Sequence, residues 1–193
     1  MTRGFVALAA AAALLAGASH AQAQGFFDDS RDIMGGGPNF FSRGGASPIQ
    51  RTTVSSPANY SPGTIVINTA ERRLYLIQSD GTALSYGIGV GRDGFRWSGV
   101  HRVSAKKEWP GWTPPSEMRR RRPDLPGHMA GGIDNPLGAR ALYLGSTLYR
   151  IHGSNEPETI GQAVSSGCFR MTNEDVVDLY NRVPVGTTVI VKN

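Results

Sequence analysis

From residue 60 onward, apolar and polar positions alternate over short runs, which is typical of β-strands separated by turns. The first two runs, 64–68 and 73–77, are rich in β-branched and aromatic residues, and the short segment between them suits a hairpin. Further strands are predicted at 83–90, 100–106, 142–144, 148–151 and 187–191. This part of the chain is therefore predicted to be mainly β, with a sandwich-like arrangement of strands.

Helical spacing of apolar residues is found in two segments. The stronger one covers 173–183, and Thr172 before it is a suitable N-cap. A shorter helix is predicted to begin at Pro114-Pro115, because proline suits the first helical turn, and to end before Pro123. The predicted fold is thus mainly β with one principal helix near its C-terminal end.

Residues 1–23 have the pattern of a secretory signal peptide. Arg3 precedes an apolar run at 5–16, and Ala21-Gln22-Ala23 is a small-x-small cleavage site. The run is shorter than the roughly 20 apolar residues that a membrane span needs, and no later stretch approaches that length. We expect an exported chain with no transmembrane span after cleavage. The alternative is an uncleaved anchor, although Ser19-His20 interrupts the run.

Two further segments lack regular periodicity. Residues 24–58 are rich in Gly, Ser and Pro, which predicts a flexible linker before a folded domain at 59–193. Residues 107–138 are rich in Trp, Pro, Gly and Arg, and a long insert of this kind is usually a functional loop or lid. A disordered insertion is the alternative. The run Arg119–Arg122 lies in this insert and is expected to be a solvated helix end.

The formal net charge of +5 falls to +4 when Arg3 is removed with the signal. Such a balance suits a partner that carries carboxylates, but it is modest. A nucleic-acid role is excluded, because the basic run is isolated and the chain is expected to be exported.

The sequence contains a single cysteine, Cys168. In an oxidising compartment one cysteine cannot form an internal disulfide, so it is buried, intermolecular or reactive. His152 ends a predicted strand and could serve as the base that a nucleophilic thiol requires. Gly167 permits an unusual backbone conformation beside the thiol, where N–H groups can stabilise an oxyanion. The residues alone support thiol catalysis and a structural cysteine equally.

Neither a metal nor another cofactor is predicted. A zinc site would need more ligands than Cys168 and the scattered His101, His128 and His152, and the chain contains no C-x-x-C. His101 is expected at the surface of a strand and His128 in the mobile insert. Thiol, imidazole and backbone N–H groups suffice for acyl chemistry without a cofactor.

The region from His152 to Asp175 resembles the signature of the L,D-transpeptidase catalytic domain, the YkuD-type family. The matching residues are His152-Gly153-Ser154-Asn155, Ile160-Gly161, Ser165-x-Gly167-Cys168-x-Arg170-Met171 and Asn173-x-Asp175. Similarity extends over 60–193 and includes 65–77, 87–91, Trp97-Ser98-Gly99 and Asn135-Pro136-Leu137-Gly138. One departure is Ser166, where many members have a second histidine.

The resemblance implies roles for the central residues. Cys168 would be the nucleophile, and His152 the general base, oriented by the carbonyl of Gly153 in place of an acidic third member. Backbone N–H groups near Gly167 and Cys168 would stabilise the oxyanion.

The resemblance also implies that residues around the thiol bind the substrate. Arg170 would bind a carboxylate of the stem peptide, with a structural ion pair to Glu174 or Asp175 as the alternative. Ser165 and Ser166 would assist the substrate or shape the turn.

The implied reaction is a two-step acyl transfer on peptidoglycan in the periplasm, in cell-wall biogenesis and the maintenance of cell shape. The thiolate would attack the carbonyl between the third residue of a tetrapeptide stem and its terminal D-Ala, and a thioester would form as D-Ala leaves. The acceptor would be a second stem, giving a 3–3 cross-link, or a protein amine, with an outer-membrane protein as one candidate. The alternatives are an amidase or L,D-carboxypeptidase on the same scaffold, and a non-catalytic wall-binding module.

Overall fold

A computed structural model describes residues 47–193, together with Met1. The described residues from 47 onward belong to a unit that spans Pro38–Asn193. The predicted signal peptide and the predicted linker up to residue 46 lie outside the described residues. None of the helices in residues 47–193 has both the length and the apolar character needed to cross a membrane.

Eleven strands and two α-helices are found in this described range. The strands are β1 (Thr52–Ser55), β2 (Ile65–Asn68), β3 (Arg73–Ile77), β4 (Thr82–Gly87), β5 (Val90–Gly91), β6 (Gly99–Glu108), β7 (Arg140–Leu144), β8 (Arg150–His152), β9 (Ala163–Ser165), β10 (Phe169–Arg170) and β11 (Thr188–Lys192). The helices are α1 (Ser116–Arg121) and α2 (Asn173–Arg182), and a single 3-10 turn covers Pro157–Thr159. The mainly β fold with one principal helix after Cys168 is confirmed.

Nine strands form one sheet in the order β1-β4-β3-β2-β11-β6-β7-β8-β10. The pairs β2/β11 and β8/β10 are parallel, and the other neighbours are antiparallel. A second, two-stranded parallel sheet pairs β5 with β9. The strands β8, β9 and β10 bring His152 and Cys168 to one end of this arrangement.

The hydrophobic core lies between the larger sheet and α2, which packs against β7. Leu142, Ile151 and Phe169 are fully or almost fully buried on neighbouring strands, and α2 contributes Val176 and Leu179. Each such side chain stabilises the fold by about 1.5–3 kcal/mol relative to exposure. The strand that carries His152 and the turn that carries Cys168 are therefore fixed from behind by the core.

Both ends of α2 are capped by side chains. The hydroxyl of Thr172 accepts a hydrogen bond from the Asp175 N–H at 3.2 Å, as predicted for an N-cap. At the other end the ammonium of Lys106 donates to the carbonyls of Tyr180 and Val183 at 2.6 and 2.8 Å. A cation at this end also complements the helix dipole. The helix directly after the cysteine is thus held at both ends.

The linker predicted over 24–58 is wrong from residue 47 onward. Thr52–Ser55 form β1, an edge strand that pairs antiparallel with β4. Ile49 packs so closely on Gly87 that a Cβ there would lie 2.5 Å from the Ile49 Cβ. Arg51 reaches α2 and forms an ion pair with Asp178 at 3.0 Å. This segment belongs to the folded domain because its backbone completes the edge of the sheet.

Two local features also differ from the prediction. The single strand expected at 83–90 is divided, since β4 ends at Gly87 and β5 joins the smaller sheet. The short strands β9 and β10 on either side of Cys168 were not expected. The predicted short helix is present as α1, in the connection between β6 and β7, and it has no buried residues.

Candidate active site

The alternation of side chains along β8 and β10 places the candidate catalytic residues on one face. In this parallel pair Ile151 lies opposite Phe169, and His152 lies opposite Arg170. Ile151 and Phe169 point into the core, so His152 and Arg170 occupy the other face. Cys168 directly precedes Phe169, and the same alternation places its thiol on the face of His152.

His152 is buried, with 4% of its surface exposed. Its Nδ1 lies 2.5 Å from the carbonyl oxygen of Gly153, which is the contact that the family resemblance implies. A carbonyl only accepts, so Nδ1 carries the proton and Nε2 keeps a free lone pair. Burial lowers the pKa of His152 from its usual 6.5 to about 3, and the ring is neutral at physiological pH.

The segment that follows His152 packs closely against Asn173, the first residue of α2. A Cβ on either Gly153 or Gly138 would overlap the Asn173 Oδ1, so the close approach requires glycine at both positions. The same oxygen accepts a hydrogen bond from the Ala139 N–H at 2.9 Å. The carbonyl that orients the imidazole is therefore held by backbone and helix together.

Hydrogen bonds from two side chains, those of Ser165 and Trp97, stabilise the turn before the thiol. The Ser165 hydroxyl donates to the Cys168 carbonyl at 2.6 Å and accepts from the Gly167 N–H at 3.2 Å. Gly167 has φ +107°, and a Cβ there would collide with the ring of Tyr149. Its carbonyl accepts from the indole N–H of Trp97 at 2.8 Å. Ser165 and Gly167 thus shape the turn that presents the thiol.

The thiol of Cys168 is unpaired and partly exposed. Its Sγ lies 3.8 Å from the carbonyl oxygen of Leu148, a weak donor contact. Burial raises the pKa of Cys168, while the charge and backbone N–H of Arg150 act in the opposite direction. Because the pKa of His152 is lowered and that of Cys168 is raised, the imidazole and the thiol are both neutral at rest.

Arg170 is already paired within the protein. Its guanidinium donates to the Glu156 carboxylate at 2.8 Å, and its backbone exchanges two hydrogen bonds of 2.9 Å with Gly89. The alternative partners expected from the sequence, Glu174 and Asp175, are wrong. An ion pair is present, but it joins β10 to the segment before the 3-10 turn rather than to α2.

Ser166 lies between the two residues that shape the turn. Its hydroxyl is buried and has no hydrogen-bond partner among residues 47–193. A buried hydroxyl without a partner costs free energy, and a bound water molecule would offset that cost.

The two other histidines within residues 47–193 contact residues other than His152. The ring of His101 packs edge-on against Trp97 at 5.1 Å between centroids. His128 lies in the insert, 3.0 Å from the hydroxyl of Thr113. Within the described range no group of three or more His, Cys, Asp or Glu side chains is placed to hold a metal ion.

Hydrogen bonds connect the insert predicted at 107–138 to residues close to His152. Trp109 donates its N–H to the carbonyl of Ala139 at 2.8 Å, and Trp112 and Met129 exchange main-chain hydrogen bonds of 2.8 and 2.7 Å. The Asn155 side chain donates to the carbonyl of Asp134 at 3.1 Å. The insert is therefore an ordered connection, and its role as a lid stays a prediction.

Sequence reasoning missed three residues that build this site. Trp97 stacks on Tyr149 with a centroid distance of 4.5 Å, and this pair supports the Gly167 turn. No local pattern indicates that contact, because the two aromatic residues are far apart in the sequence. Arg150 could have been found, since it precedes His152 by two positions on a strand and so shares its face.

Comparison with known proteins gives one family. A family model described as the L,D-transpeptidase catalytic domain matches residues 62–191. The probable L,D-transpeptidase ErfK/SrfK of Escherichia coli (strain K12) is 42% identical over 134 residues, which are 65% of this chain and 42% of that protein. The chain spans less than half the length of this curated relative.

Two solved structures are also similar. A Brucella melitensis protein named a probable carnitine operon oxidoreductase is 46% identical, with a TM-score of 0.52 over 78% of this chain and 98% of that one. That name belongs to the Brucella protein alone. L,D-transpeptidase 3 of Mycobacterium tuberculosis, in complex with a faropenem-derived adduct, is 18% identical, with a TM-score of 0.54 over 69% of this chain and 61% of that one. At this identity the likeness shows the fold alone.

Proposed function

The chain belongs to the L,D-transpeptidase catalytic domain family, and from this premise we propose that it is a cysteine acyltransferase acting on peptidoglycan stem peptides. One observation carries the proposal. A buried, neutral His152, oriented by the Gly153 carbonyl, shares a strand face with the only thiol of the chain. A free imidazole nitrogen on the face of a thiol is the arrangement that nucleophilic acyl transfer requires.

In the first step the donor carbonyl approaches Cys168, and Nε2 of His152 takes the thiol proton as the sulfur attacks. The carbonyl lies between the third residue of a tetrapeptide stem and its terminal D-Ala. The Gly167 N–H is engaged by Ser165, so we assign the oxyanion contact to the N–H of Cys168. Collapse of the tetrahedral intermediate breaks the C–N bond, and D-Ala leaves with the proton held by His152.

In the second step an amine attacks the thioester on Cys168. His152 takes a proton from the amine, the C–S bond breaks, and the sulfur regains its proton as the ring returns to neutral. An amine on a second stem gives a 3–3 cross-link, and an amine on a protein such as an outer-membrane protein gives covalent attachment. Water as acceptor gives L,D-carboxypeptidase activity. The insert at 107–138 would act as a lid that keeps water from the thioester.

We place this reaction in the periplasm. Residues 1–23 would direct export and be removed, and the segment up to residue 46 would tether the folded domain. The substrate class supports this location, because peptidoglycan lies outside the cytoplasm. Peptidoglycan biosynthesis and the maintenance of cell shape are the processes that such an activity serves.

The proposal is tested first by intact mass of the purified protein with a carbapenem, with Cys168→Ala as the control. We expect an adduct of one drug molecule on the wild type only. A disaccharide tetrapeptide is then supplied, and D-Ala and the products are identified by mass spectrometry. Cross-linked or protein-linked product supports transfer, whereas a tripeptide product alone makes the protein a carboxypeptidase. A folded protein that binds stems but gives neither adduct nor D-Ala is a wall-binding module, and the proposal is then wrong.

A further inference from the structure

Arg150 occupies a position next to both catalytic candidates. It is the first residue of β8 and lies opposite Tyr143 of the neighbouring strand β7. On its other side, the register that pairs Ile151 with Phe169 brings it next to Cys168. Since residues two apart on a strand share a face, its side chain and that of His152 leave β8 in the same direction.

The guanidinium of Arg150 is incompletely satisfied. One amino group donates to the carbonyl of Leu148 at 3.2 Å, and the guanidinium lies 5.4 Å from the centre of the Tyr143 ring. Its Nε–H is buried and has no hydrogen-bond partner in the described part of the chain. A buried donor without a partner destabilises the folded protein. A ligand that supplies the missing acceptor would recover this free energy.

The two arginines on this face differ in their charge balance. Arg170 is neutralised by Glu156 at 2.8 Å. No carboxylate within residues 47–193 forms an ion pair with Arg150. Its charge therefore stays available to an anionic ligand.

The positive charge of Arg150 also acts on the Cys168 thiol. Among charged groups, Arg150 has the strongest influence on the Cys168 thiol and opposes the burial that raises the thiol pKa. Arg170 acts on the thiol in the same direction but more weakly. A group bound by Arg150 would therefore lie close to the sulfur.

We propose that Arg150 is a specificity-determining residue that binds a carboxylate of the donor stem next to Cys168. This inference rests on the proposed function and transfers to Arg150 the carboxylate-binding role expected of Arg170. Guanidinium and carboxylate form charge-assisted hydrogen bonds that fix orientation as well as distance. Two carboxylates flank the scissile bond of a stem whose third residue carries a carboxylate on its side chain. One is the terminal carboxylate of D-Ala, and the other is on the side chain of the third residue.

The test uses the purified protein and three donor tetrapeptides. One donor has both carboxylates free, one has the terminal D-Ala amidated, and one has the side-chain carboxylate of the third residue amidated. Initial rates of C-terminal residue release give kcat/KM for the wild type, Arg150→Gln and Arg150→Lys. Arg73→Gln is the matched control, since Arg73 lies on β3, five positions from β8 in the sheet order.

For the free donor we expect Arg150→Gln to lower kcat/KM by roughly 10- to 100-fold, the equivalent of a hydrogen bond to a charged group. Arg150→Lys should restore part of this loss, and Arg73→Gln should match the wild type. With the donor whose recognised carboxylate is amidated, Arg150→Gln and the wild type should have equal rates. The donor that shows this equality identifies which carboxylate Arg150 binds.

Two results overturn the inference while leaving the proposed function intact. In one, the active wild type cleaves all three donors equally well, a result that does not depend on the folding of any variant. In the other, Arg150→Gln loses the same factor on every donor, which would make Arg150 a structural residue or a modulator of the thiol. If the wild type releases no residue from any donor, the proposed function fails and the inference fails with it.

Discussion

The Nδ1–H of His152 donates a hydrogen bond to the carbonyl of Gly153, the next residue in the chain. This contact fixes the tautomer and directs the free Nε2 away from the backbone, so no acidic residue is needed to orient the base. The carbonyl is in turn fixed, because Gly153 packs against Asn173 at the start of α2. The site therefore obtains a precise, neutral base from local backbone geometry.

The first prediction concerns acid stability. The pKa of His152 is about 3 in the folded protein and near 6.5 in the unfolded chain. Above pH 6.5 both states are neutral at this position. Below it the unfolded chain binds a proton that the folded protein does not, so the free energy of unfolding falls as the pH falls towards 3. Between pH 7 and 5 we expect a loss of about 2 kcal/mol from this group.

Urea denaturation at several pH values measures this loss. His152→Gln should remove the contribution and flatten the dependence on pH, whereas His128→Gln should retain it because His128 is exposed. Equal acid sensitivity in the wild type and His152→Gln would contradict the assignment.

The second prediction concerns the protonation state of the thiol. Since burial raises the pKa of Cys168 and lowers that of His152, the resting site holds little thiolate at neutral pH. Alkylation by iodoacetamide, followed by intact mass, should accelerate about tenfold per pH unit from 6 to 9. Cys168→Ala should take up no label. A fast rate that is constant between pH 5 and 7 would instead indicate a preformed thiolate–imidazolium pair.

The third prediction concerns the segment before residue 58. Ile49 covers Gly87, Arg51 pairs with Asp178, and β1 completes the sheet edge. A chain that begins at residue 58 should have a free energy of unfolding lower by about 2 kcal/mol or more than a chain that begins at residue 47. Thermal and urea denaturation compare the two. Equal stability would mean that the segment is the linker that its composition predicts.

The sequence predicts best those elements whose own pattern determines them. The run 73–77 is β3 with the same bounds, and the cap at Thr172 and the apolar spacing after it give α2. By contrast, β10 has only two residues and exists because its backbone pairs with Gly89 and with β8. Its local sequence carries no periodic signal.

The same distinction applies to the site. The contact of His152 with Gly153, which the family resemblance implies, joins adjacent residues and is present in the structure. The partner of Arg170 is fourteen positions away, across the 3-10 turn, and only the folded path of the chain selects Glu156 over Glu174 or Asp175. Burial, which sets the protonation of Cys168 and His152, is likewise a property of the assembled domain.

The last prediction separates two adjacent serines. The Ser165 hydroxyl satisfies the Gly167 N–H and the Cys168 carbonyl, whereas the Ser166 hydroxyl has no partner within the described residues. Ser165→Ala should therefore lower the free energy of unfolding by about 1–3 kcal/mol and lower kcat, because the turn that presents the thiol loses its support. Ser166→Ala should leave the free energy of unfolding unchanged or raise it, because it removes a buried hydroxyl that has no partner. If Ser166 contacts the donor, its substitution should raise KM and leave kcat unchanged.

Urea denaturation and steady-state kinetics on both variants measure these effects. A loss of stability that is larger in Ser166→Ala than in Ser165→Ala would contradict the roles assigned to the two serines.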